Sequence, residues 1–416
     1  MGPMPFVRRC IAGVLAAGVG VLGASLPAPA GSTDVDVDVD DPVFTQGLQW
    51  GLDQIAAPQA WPVGTGEGIT IAVVDSGVDL THEDLLDKIV AEISCVGAEG
   101  DPAECAGSAQ DDHGHGTHAA GIALASTNNG QGMAGVAPDA DLVVVRVLTN
   151  QCDATGENCD AVGTSADVSA GIRWAADHGA DVINLSLGGG ERQSSLGCSF
   201  CEALDYAWSQ GAIPVMAAGN DSALPDGFAD EPAVIVSATT REDTRATYSS
   251  AGSSILRSAR WPVAAPGGEG ETGPSDCATD GTPQGVLSTY WVDGVSNQYA
   301  CLAGTSMASA HVSGALAVLL STGLSPEGAI DRLLATADDL GAPGRDDVFG
   351  AGRIDLGAAV GPQLTPAGPT LAGPFADAPG ADDLSAATVA TMLLLILLAA
   401  GGTAAVAARI VANDGR

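Results

Sequence analysis

The chain has 416 residues, of which 46% are hydrophobic and 16% are charged, and its net charge at pH 7 is -36. This length is enough for one large domain with a substantial buried core. Because Asp and Glu number 51 against 15 Lys and Arg, the surface repels phosphate backbones, and we expect no nucleic-acid partner. The acidic excess indicates a solvated surface, and cation binding is the only function that we attach to it.

The first thirty residues have the pattern of a secretory signal. Arg8 and Arg9 precede an uncharged run over residues 10–26, and Ala-Pro-Ala at 28–30 is typical of a cleavage site. An uncleaved anchor is the alternative, but the Gly- and Ala-rich run is weak for a permanent span. We predict a signal peptide at 1–30 and, because the aspartates of the Asp-Val tract repel one another, an acidic linker at 31–44.

A second apolar segment lies near the other end. Residues 386–408 carry no charge and are long enough to cross a hydrocarbon layer of ~30 Å. Arg409 and Arg416 follow, so the positive-inside rule places the tail 409–416 in the cytoplasm and the main domain outside. The Pro-, Gly- and Ala-rich residues 361–385 are predicted to form a stalk. A hydrophobic helix docked on the domain is the alternative.

Cysteine usage agrees with export. Eight cysteines follow the predicted signal, and an even number in an exported chain indicates disulfides. The sequence leaves the connectivity open, and the simplest prediction joins neighbours: Cys95–Cys105, Cys152–Cys159, Cys198–Cys201 and Cys277–Cys301. The spacing of Cys198 and Cys201 would also suit a redox pair, but the thioredoxin-like context is missing.

From Trp50 onward, short apolar runs alternate with helical patterns. The runs are predicted to be buried strands over 69–74, 142–148, 182–187 and 213–218, and the helical patterns cover 169–178 and 204–211. This alternation predicts an α/β domain with a mostly parallel central sheet and helices on both faces. Ligands of such a sheet bind beyond the carboxyl ends of its strands.

Three motifs with catalytic potential are found in this domain. Asp75 directly follows the first predicted strand, His115 begins a His-Gly-Thr-His segment, and Ser306 lies at the start of an apolar helical stretch. A serine at a helix N-terminus benefits from the positive end of the helix dipole when an oxyanion forms nearby. A serine nucleophile needs a histidine base, and a carboxylate orients that base. These residue types favour nucleophilic catalysis.

Each motif alone is weak evidence, and the histidine cluster has a competing interpretation. His113, His115 and His118 are close enough in sequence to form a zinc site. Their spacing does not place them on one helical face, and no glutamate follows at the interval typical of metalloproteases. We therefore disfavour zinc.

Together, the motifs resemble those of the subtilisin-like serine proteases, the subtilases. The resembling segments, in order, are Val73-Val-Asp-Ser-Gly-Val-Asp79, His115-Gly-Thr-His118 and Gly304-Thr-Ser-Met-Ala-Ser309, and the resemblance extends from about Gln46 to Leu356. It implies a subtilisin-like three-layer fold over residues 45–360 and serine endopeptidase activity, with Asp75, His115 and Ser306 as the triad. Asn220, in Ala-Ala-Gly-Asn, matches the asparagine that binds the oxyanion, although a turn asparagine is the alternative.

The resemblance also implies a peptide-binding cleft. Ser186, Leu187 and Gly188 match the strand that pairs with an extended substrate and lines the P1 pocket, and Gly163 matches the opposite edge. Backbone pairing accepts many sequences, so we expect broad specificity. The small residues near the pocket favour apolar P1 side chains.

Residues 126–135 resemble the calcium loop of the thermitase branch of this family. The ligands implied are the side chains of Gln46, Asp84 and Asn129, and the carbonyl groups of Ser126, Gln131 and Met133. Hard oxygen ligands from a loop suit Ca²⁺, which is the cofactor that we predict. A turn of Asn and Gly without a metal is the alternative.

The sequence departs from the family pattern in several places. Ala310 stands where the family usually has a proline before His311, and residues 31–44 are shorter than a domain-sized folding propeptide. The loop 151–159 and the segment 255–301 look longer than the compact core needs, and both are expected to flank the cleft.

The layout of signal, domain and anchor also resembles that of the mycosins. We expect a monomeric endopeptidase that acts on extended polypeptides outside the cell membrane, to which its C-terminal helix anchors it. A catalytically silent peptide-binding scaffold is the alternative, which the intact motifs disfavour. A general esterase is a more distant one.

Overall fold

The computed structural model describes residues 39–155, 159–187, 200–220, 230–250, 256, 259–270, 277 and 284–361. The chain divides into two compact units, Met1–Gly361 and Pro362–Arg416, and every described residue belongs to the first. The predicted signal peptide, membrane helix and cytoplasmic tail therefore lie outside the described residues, as does the predicted stalk beyond Gly361. Among the described residues no single helix has the length and hydropathy to span a membrane, although two consecutive helices, bent by 119° between Ser321 and Pro326, pass that test as a pair.

The helices are of two kinds. The long ones include those that pack on the sheet, and the short ones are single turns, several of which also contribute buried residues to the core. In chain order the described α-helices are α1 Pro42–Thr45, α2 Trp50–Gln54, α3 Ala57–Ala60, α4 His115–Leu124, α5 Ser165–Asp177, α6 Cys201–Ser209, α7 Thr305–Ser321, α8 Pro326–Ala335 and α9 Leu356–Ala359. Single 3₁₀ turns occupy Leu86–Lys88 and Pro102–Glu104.

The strands form one large sheet and two hairpins. The described strands are β1 Thr70–Asp75, β2 Ile89–Ser94, β3 Asp141–Arg146, β4 Thr149–Cys152, β5 Cys159–Val162, β6 Val182–Leu185, β7 Ile213–Ala217, β8 Val234–Thr239, β9 Trp261–Pro266, β10 Val286–Val292 and β11 Val295–Leu302. The seven-stranded sheet has the order β2-β3-β1-β6-β7-β8-β9, and its neighbouring strands are parallel. The antiparallel hairpins are β4–β5 and β10–β11.

Alternate residues of β1 point to opposite faces of the sheet, and each face is covered. Ile71 and Val73 belong to a buried cluster that includes residues of α4 and α7. Ala72 and Val74 belong to a second cluster, which includes residues of α5 and α6. A strand that is buried on both sides must be apolar throughout, which is why the sequence of β1 shows a continuous run rather than an alternation. The predicted α/β architecture is confirmed.

The predicted elements match the structure within a few residues. The four runs correspond to β1, β3, β6 and β7, and the two helical patterns correspond to α5 and α6. Helix α5 begins four residues before the predicted start, because the Thr164 side chain accepts a hydrogen bond from the Asp167 N–H and caps an additional turn.

The end of the predicted acidic linker, residues 31–44, packs against the domain. Val39 and Asp41 are buried. Asp41 accepts hydrogen bonds from the N–H groups of Asn128 and Asn129, so the chain is held to the 126–135 loop before α1 begins. Amino-acid composition carries no signal of such a long-range contact.

Three of the predicted disulfides lie within the described residues. They join Cys95 to Cys105, Cys152 to Cys159, and Cys277 to Cys301. Cys201 is also disulfide-bonded, while Cys198, its predicted partner, lies outside the described residues. Neighbour pairing is therefore confirmed for three pairs.

Candidate active site

Three of the predicted catalytic and substrate-binding residues lie at or beyond the carboxyl ends of strands at one edge of the sheet. Asp75 ends β1, Ser186 follows β6, and Asn220 lies three residues beyond the end of β7. The sheet extends from β1 to β3 and β2 on one side and to β6 through β9 on the other. The strand order therefore reverses at β1. Open α/β sheets bind ligands beyond the carboxyl ends of their strands, at the point where the strand order reverses.

Asp75 and His115 form a direct pair. Nδ1 of His115 lies 2.8 Å from Oδ1 of Asp75 and 3.0 Å from Oδ2, and the carboxylate is fully buried. Burial of the imidazole lowers its pKa, but the charge of Asp75 and its hydrogen bond outweigh this effect, so the pKa of His115 is raised above its ordinary value of 6.5. This bond leaves Nε2 as the ring nitrogen that is available for proton transfer.

A second buried carboxylate, that of Asp111, organises the same region. Its Oδ1 accepts bonds of 2.9 Å from the N–H groups of His113 and Gly114 and from the hydroxyl of Ser76. Its Oδ2 accepts the N–H of Thr117, in the first turn of α4. Asp111 is not among the residues predicted from the sequence. The signal that could have identified it is its position four residues before His115, where α4 begins.

His118, another histidine of the cluster, is directed away from Asp75. Nε2 of His118 lies 3.1 Å from the carbonyl oxygens of both Val286 and Ala300, and burial lowers the pKa of this ring to about 3. Among the described residues no group of three or more His, Cys, Asp or Glu side chains is arranged to hold a metal. The zinc interpretation therefore has no support from these histidines.

Ser306 is the second residue of α7, and its side chain faces the sheet edge. Its hydroxyl donates a 3.1 Å hydrogen bond to the carbonyl oxygen of Ser186, and only 8% of the residue is exposed. In return, the hydroxyl of Ser186 donates to the carbonyl oxygen of Ser306 at 2.9 Å. Ser186 therefore holds the start of α7 against the end of β6, and Leu187 follows it, half-buried.

Asn220 is anchored to the same helix start. Its Oδ1 accepts hydrogen bonds from the N–H of Thr305 at 3.0 Å and from the Thr305 hydroxyl at 2.9 Å. The oxygen is thus engaged, and the nitrogen of the NH₂ group lies close to Gly304, where an added Cβ atom would be 3.4 Å from it. Preorganised donors of this kind stabilise an oxyanion.

The other cleft residues differ in how far the structure describes them. Gly163 directly follows β5. A Cβ atom at this position would lie 2.4 Å from the carbonyl oxygen of Val147, so a larger residue would force the backbone at Val147 or Gly163 to shift. Gly188 lies outside the described residues.

The residues of the predicted calcium loop surround Asp84. Its Oδ2 accepts hydrogen bonds from the Met133 N–H at 3.1 Å and from the Tyr299 hydroxyl at 2.9 Å. The NH₂ group of Asn129 lies 3.5 Å from Oδ1. Burial raises the pKa of Asp84 to about 6, which a bound cation would counteract.

This donor set fits a calcium ion in part. Asp84 and Asn129 are adjacent, Ser126 is held by a bond from its N–H to the carbonyl oxygen of Asp84, and Gln131 and Met133 continue the loop. Coordination by Asn129 requires its amide oxygen, rather than its NH₂ group, to face Asp84. Gln46 directly follows α1, whereas the N-terminal carboxylates that contact the loop are those of Asp40 and Asp41.

The arrangement defines a class of enzyme. A buried carboxylate oriented on histidine, a serine at a helix N-terminus, and amide donors beside that serine are the components of serine hydrolases that act through an acyl-enzyme.

Comparison with known proteins identifies the family within this class. Residues 66–352 match the sequence profile of the Subtilase family, peptidase S8. Thermitase from Thermoactinomyces vulgaris is 36% identical over 323 residues, which is 77% of this chain and 98% of thermitase. Subtilisin Savinase from Lederbergia lenta is 34% identical over 321 residues, which is 76% of this chain and 99% of Savinase.

Solved structures also match this chain, and they are proteases as well. A protease from Pseudoalteromonas arctica PAMC 21717 superimposes with a TM-score of 0.61 at 32% identity, over 77% of this chain and 98% of that protein. Fervidolysin from Fervidobacterium pennivorans, described as a keratinolytic enzyme related to subtilisin, gives a TM-score of 0.60 at 29% identity, over 80% of this chain and 48% of fervidolysin. The chain belongs to the subtilase family and is a serine endopeptidase, which acts on polypeptides.

Proposed function

We propose that the chain is an exported endopeptidase of broad specificity, which cleaves extended polypeptides after apolar residues. The observation that carries the proposal is the Asp75–His115 hydrogen bond at the same sheet edge as Ser306, whose hydroxyl lies against the Ser186 carbonyl. The presence of Asp75, His115, Ser306 and Asn220 in one domain favours activity over a silent peptide-binding scaffold.

The proposed mechanism uses these residues in two half-reactions. Nε2 of His115 takes the proton of the Ser306 hydroxyl as Oγ attacks the scissile carbonyl carbon, and Asp75 stabilises the resulting imidazolium. The side-chain amide of Asn220 and the N–H of Ser306 donate to the oxyanion. His115 then gives its proton to the leaving amine, and water releases the acyl group by the same steps in reverse order.

Specificity is proposed to depend on backbone pairing. We expect Ser186 and Leu187, with Gly188 after them in the chain, to serve one side of the cleft and Gly163 the other, so that a substrate in extended conformation adds as a strand between them. Main-chain hydrogen bonds are independent of side-chain identity, and selectivity is then left to the P1 pocket. The small and aliphatic residues on the Ser186 side favour an apolar P1 side chain.

A calcium ion is proposed to stabilise the loop 126–135. Asp84 and Asn129 would bind it through side chains, and Ser126, Gln131 and Met133 through carbonyl groups, with either Gln46 or Asp41 as the N-terminal ligand. When bound, the ion would neutralise Asp84 and fasten the loop to the N-terminal segment. It has no part in the chemical step.

The location of the enzyme is proposed from its two apolar ends. The signal at 1–30 directs export, and the helix at 386–408 anchors the enzyme by its C-terminus, with the stalk 361–385 between the anchor and the domain. The domain would then act outside the membrane as a monomer. Fractionation of cells that express the full chain tests this, since carbonate-resistant membrane association must be lost when the chain ends before residue 386.

Fluorophosphonate labelling of the full-length protein tests the catalytic proposal. We expect labelling of the wild type in the presence of calcium, and its loss in both Ser306→Ala and His115→Ala. Cleavage of a peptide library then gives the P1 preference. A folded, calcium-loaded wild type that does not react would support the scaffold instead.

A further inference from the structure

Asn184 is a polar residue in the middle of the central sheet. It lies in β6 between Val73 of β1 and Val215 of β7, and it is fully buried. Asparagine is depleted in strands, and a buried amide is costly unless its groups are hydrogen-bonded. An apolar side chain would suit this position of the strand better, so the amide of Asn184 is expected to serve something other than the stability of β6.

The side-chain amide of Asn184 has a partner at both ends. Val182, two residues earlier in β6, belongs to the buried cluster that includes residues of α7, and Asn184 faces the same helix. Its Oδ1 accepts a 3.0 Å hydrogen bond from the hydroxyl of Ser313 in α7. Its NH₂ group donates a 2.9 Å hydrogen bond to Oγ of Ser186. Asn184 therefore joins α7 to the residue that follows the end of β6.

The bond from Asn184 restricts what the hydroxyl of Ser186 can do. An NH₂ group only donates, so Oγ of Ser186 accepts this bond and its single proton is left for another acceptor. The carbonyl oxygen of Ser306, at 2.9 Å, is that acceptor. Oγ of Ser309 is a competing partner, since it lies 3.0 Å from Oγ of Ser186. Without the amide of Asn184, the hydroxyl of Ser186 could turn from Ser306 toward Ser309.

The carbonyl group of Ser306 matters because it shares a Cα atom with the attacking side chain. The hydroxyl of Ser309 also donates to this carbonyl oxygen, at 2.9 Å, and the hydroxyl of Ser306 donates to the carbonyl oxygen of Ser186 at 3.1 Å. These bonds fix the backbone of Ser306 relative to β6, and with it the direction in which the Cα–Cβ bond leaves the helix. A small misplacement of a reacting group lowers the rate of the chemical step.

We propose that Asn184 is a positioning residue for the nucleophile, which acts through the side chain of Ser186 on the main chain of Ser306. The inference rests on the proposed function, because it requires Ser306 to be the attacking group. Asn184 is buried inside the sheet and contributes by holding the residues of the site in place before the substrate arrives. Its amide thus serves the rate of catalysis rather than the stability of the strand.

Replacement of Asn184 by valine separates these two roles. Valine is a good strand former, and in Asn184→Val the hydroxyl of Ser186 keeps the carbonyl oxygen of Ser306 within reach as an acceptor. The hydroxyl of Ser313 likewise keeps the carbonyl oxygen of Ser309, at 2.9 Å. The variant should therefore have a Tm no lower than that of the wild type.

The kinetics of Asn184→Val should change although its stability does not. For a peptide substrate we expect kcat to fall by between about threefold and about tenfold, the effect of one lost hydrogen bond, with KM unchanged. The rate constant for labelling by a small fluorophosphonate should fall by the same factor, because this reagent reacts with Ser306 without pairing with the cleft. Ser321→Ala, which removes a hydroxyl at the far end of α7, is the control and should leave both rates unchanged.

A double-mutant cycle tests the route through Ser186. Ser186→Ala removes the hydroxyl that connects Asn184 to Ser306, so it should also lower kcat and the labelling rate. If Asn184 acts only through that hydroxyl, the double variant should be no slower than Ser186→Ala alone. Independent effects of the two substitutions would multiply in the double variant, and this result would contradict the proposal.

Two further results would overturn the proposal: wild-type rates in Asn184→Val, or wild-type rates in Ser186→Ala. The second measurement decides the question even where the valine variant does not fold, because the proposed route requires the Ser186 hydroxyl. Labelling of the wild type reports the proposed function separately. An unreactive wild type contradicts that function and this inference together, whereas a reactive wild type with unaffected variants contradicts the inference alone.

Discussion

The hydroxyl of Ser76 donates a 2.9 Å hydrogen bond to the carboxylate of Asp111 and, at 3.0 Å, accepts the N–H of Gly116. Ser76 directly follows Asp75, and Gly116 directly follows His115. Asp75 and His115 are therefore held in register by their chain neighbours as well as by their own hydrogen bond.

Replacement of Asp111 should impair catalysis. In Asp111→Asn, one carboxylate oxygen is replaced by an NH₂ group, which would face either the N–H of Thr117 or those of His113 and Gly114. The buried donors on that side would lose their acceptor, which costs about 1–3 kcal/mol of folding free energy. We expect lower kcat with little change in KM, and an acidic limb of the pH profile at lower pH, because a charge that raises the pKa of His115 is lost. Steady-state kinetics across pH measure both effects.

The control for this variant is Asp101→Asn, which removes one negative charge from an exposed position. It should leave both kcat and the pH profile unchanged. A reduced yield of folded Asp111→Asn with an unaltered pH profile would mean that Asp111 acts on stability alone.

The acidic limb itself should reflect His115. Catalysis requires the neutral imidazole, and Asp75 raises its pKa above 6.5, so kcat/KM should fall as the pH decreases through a midpoint above that value. Asp75→Asn should move the midpoint to lower pH and lower kcat by about 10⁴, as in serine proteases generally. A wild-type midpoint well below 6.5 would contradict the assignment of His115 as the base.

Thr305 is expected to position the oxyanion donor. Asn220→Leu should lower kcat by about 10²–10³, a figure that derives from subtilisin itself. Thr305→Val removes the hydroxyl that donates to Asn220 and accepts from the N–H of Gly219, so we expect a loss of about tenfold in kcat with KM unchanged. Thr336→Val, which removes a hydroxyl at the end of α8, is the matched control. Equal kinetics for the two threonine variants would refute the positioning role.

Removal of calcium should destabilise the domain. A ligand that binds only the folded state stabilises it by about 2.7 kcal/mol at a hundredfold excess over its Kd, so EDTA should lower Tm by several degrees. Asp84→Ala should abolish the difference between calcium and EDTA, while Asp101→Ala should retain it. Calorimetry in both buffers measures this, and a wild-type Tm that is insensitive to EDTA would argue for a metal-free turn.

Much of the fold could be predicted because its signals are local. The continuous apolar runs of β1, β3, β6 and β7 mark strands that are buried on both faces, and the order of the Asp75, His115 and Ser306 motifs identifies the family. The nearest-neighbour disulfides at 95–105, 152–159 and 277–301 are equally local, since short loops bring their cysteines together at little entropic cost.

Other features depend on which distant residues the fold brings together. The contact of Asp41 with Asn128 and Asn129, and the mutual hydrogen bonds of Ser186 and Ser306, join segments that are far apart in sequence. Neither has a periodic or compositional signature, because a hydrogen bond depends on distances and angles that are fixed only after the helices pack on the sheet.

The sequence by itself determined the chemistry: a serine, a histidine and an aspartate at strand ends and helix starts of a parallel α/β domain. Tertiary structure alone decided that Asp111 would join the helix of His115 to the turn after Asp75, and that Ser186 would hold the start of α7 against the end of β6. The physical reason is that residue type and periodicity specify local conformation, whereas burial of a carboxylate or a hydrogen bond between distant segments is a property of the packed domain.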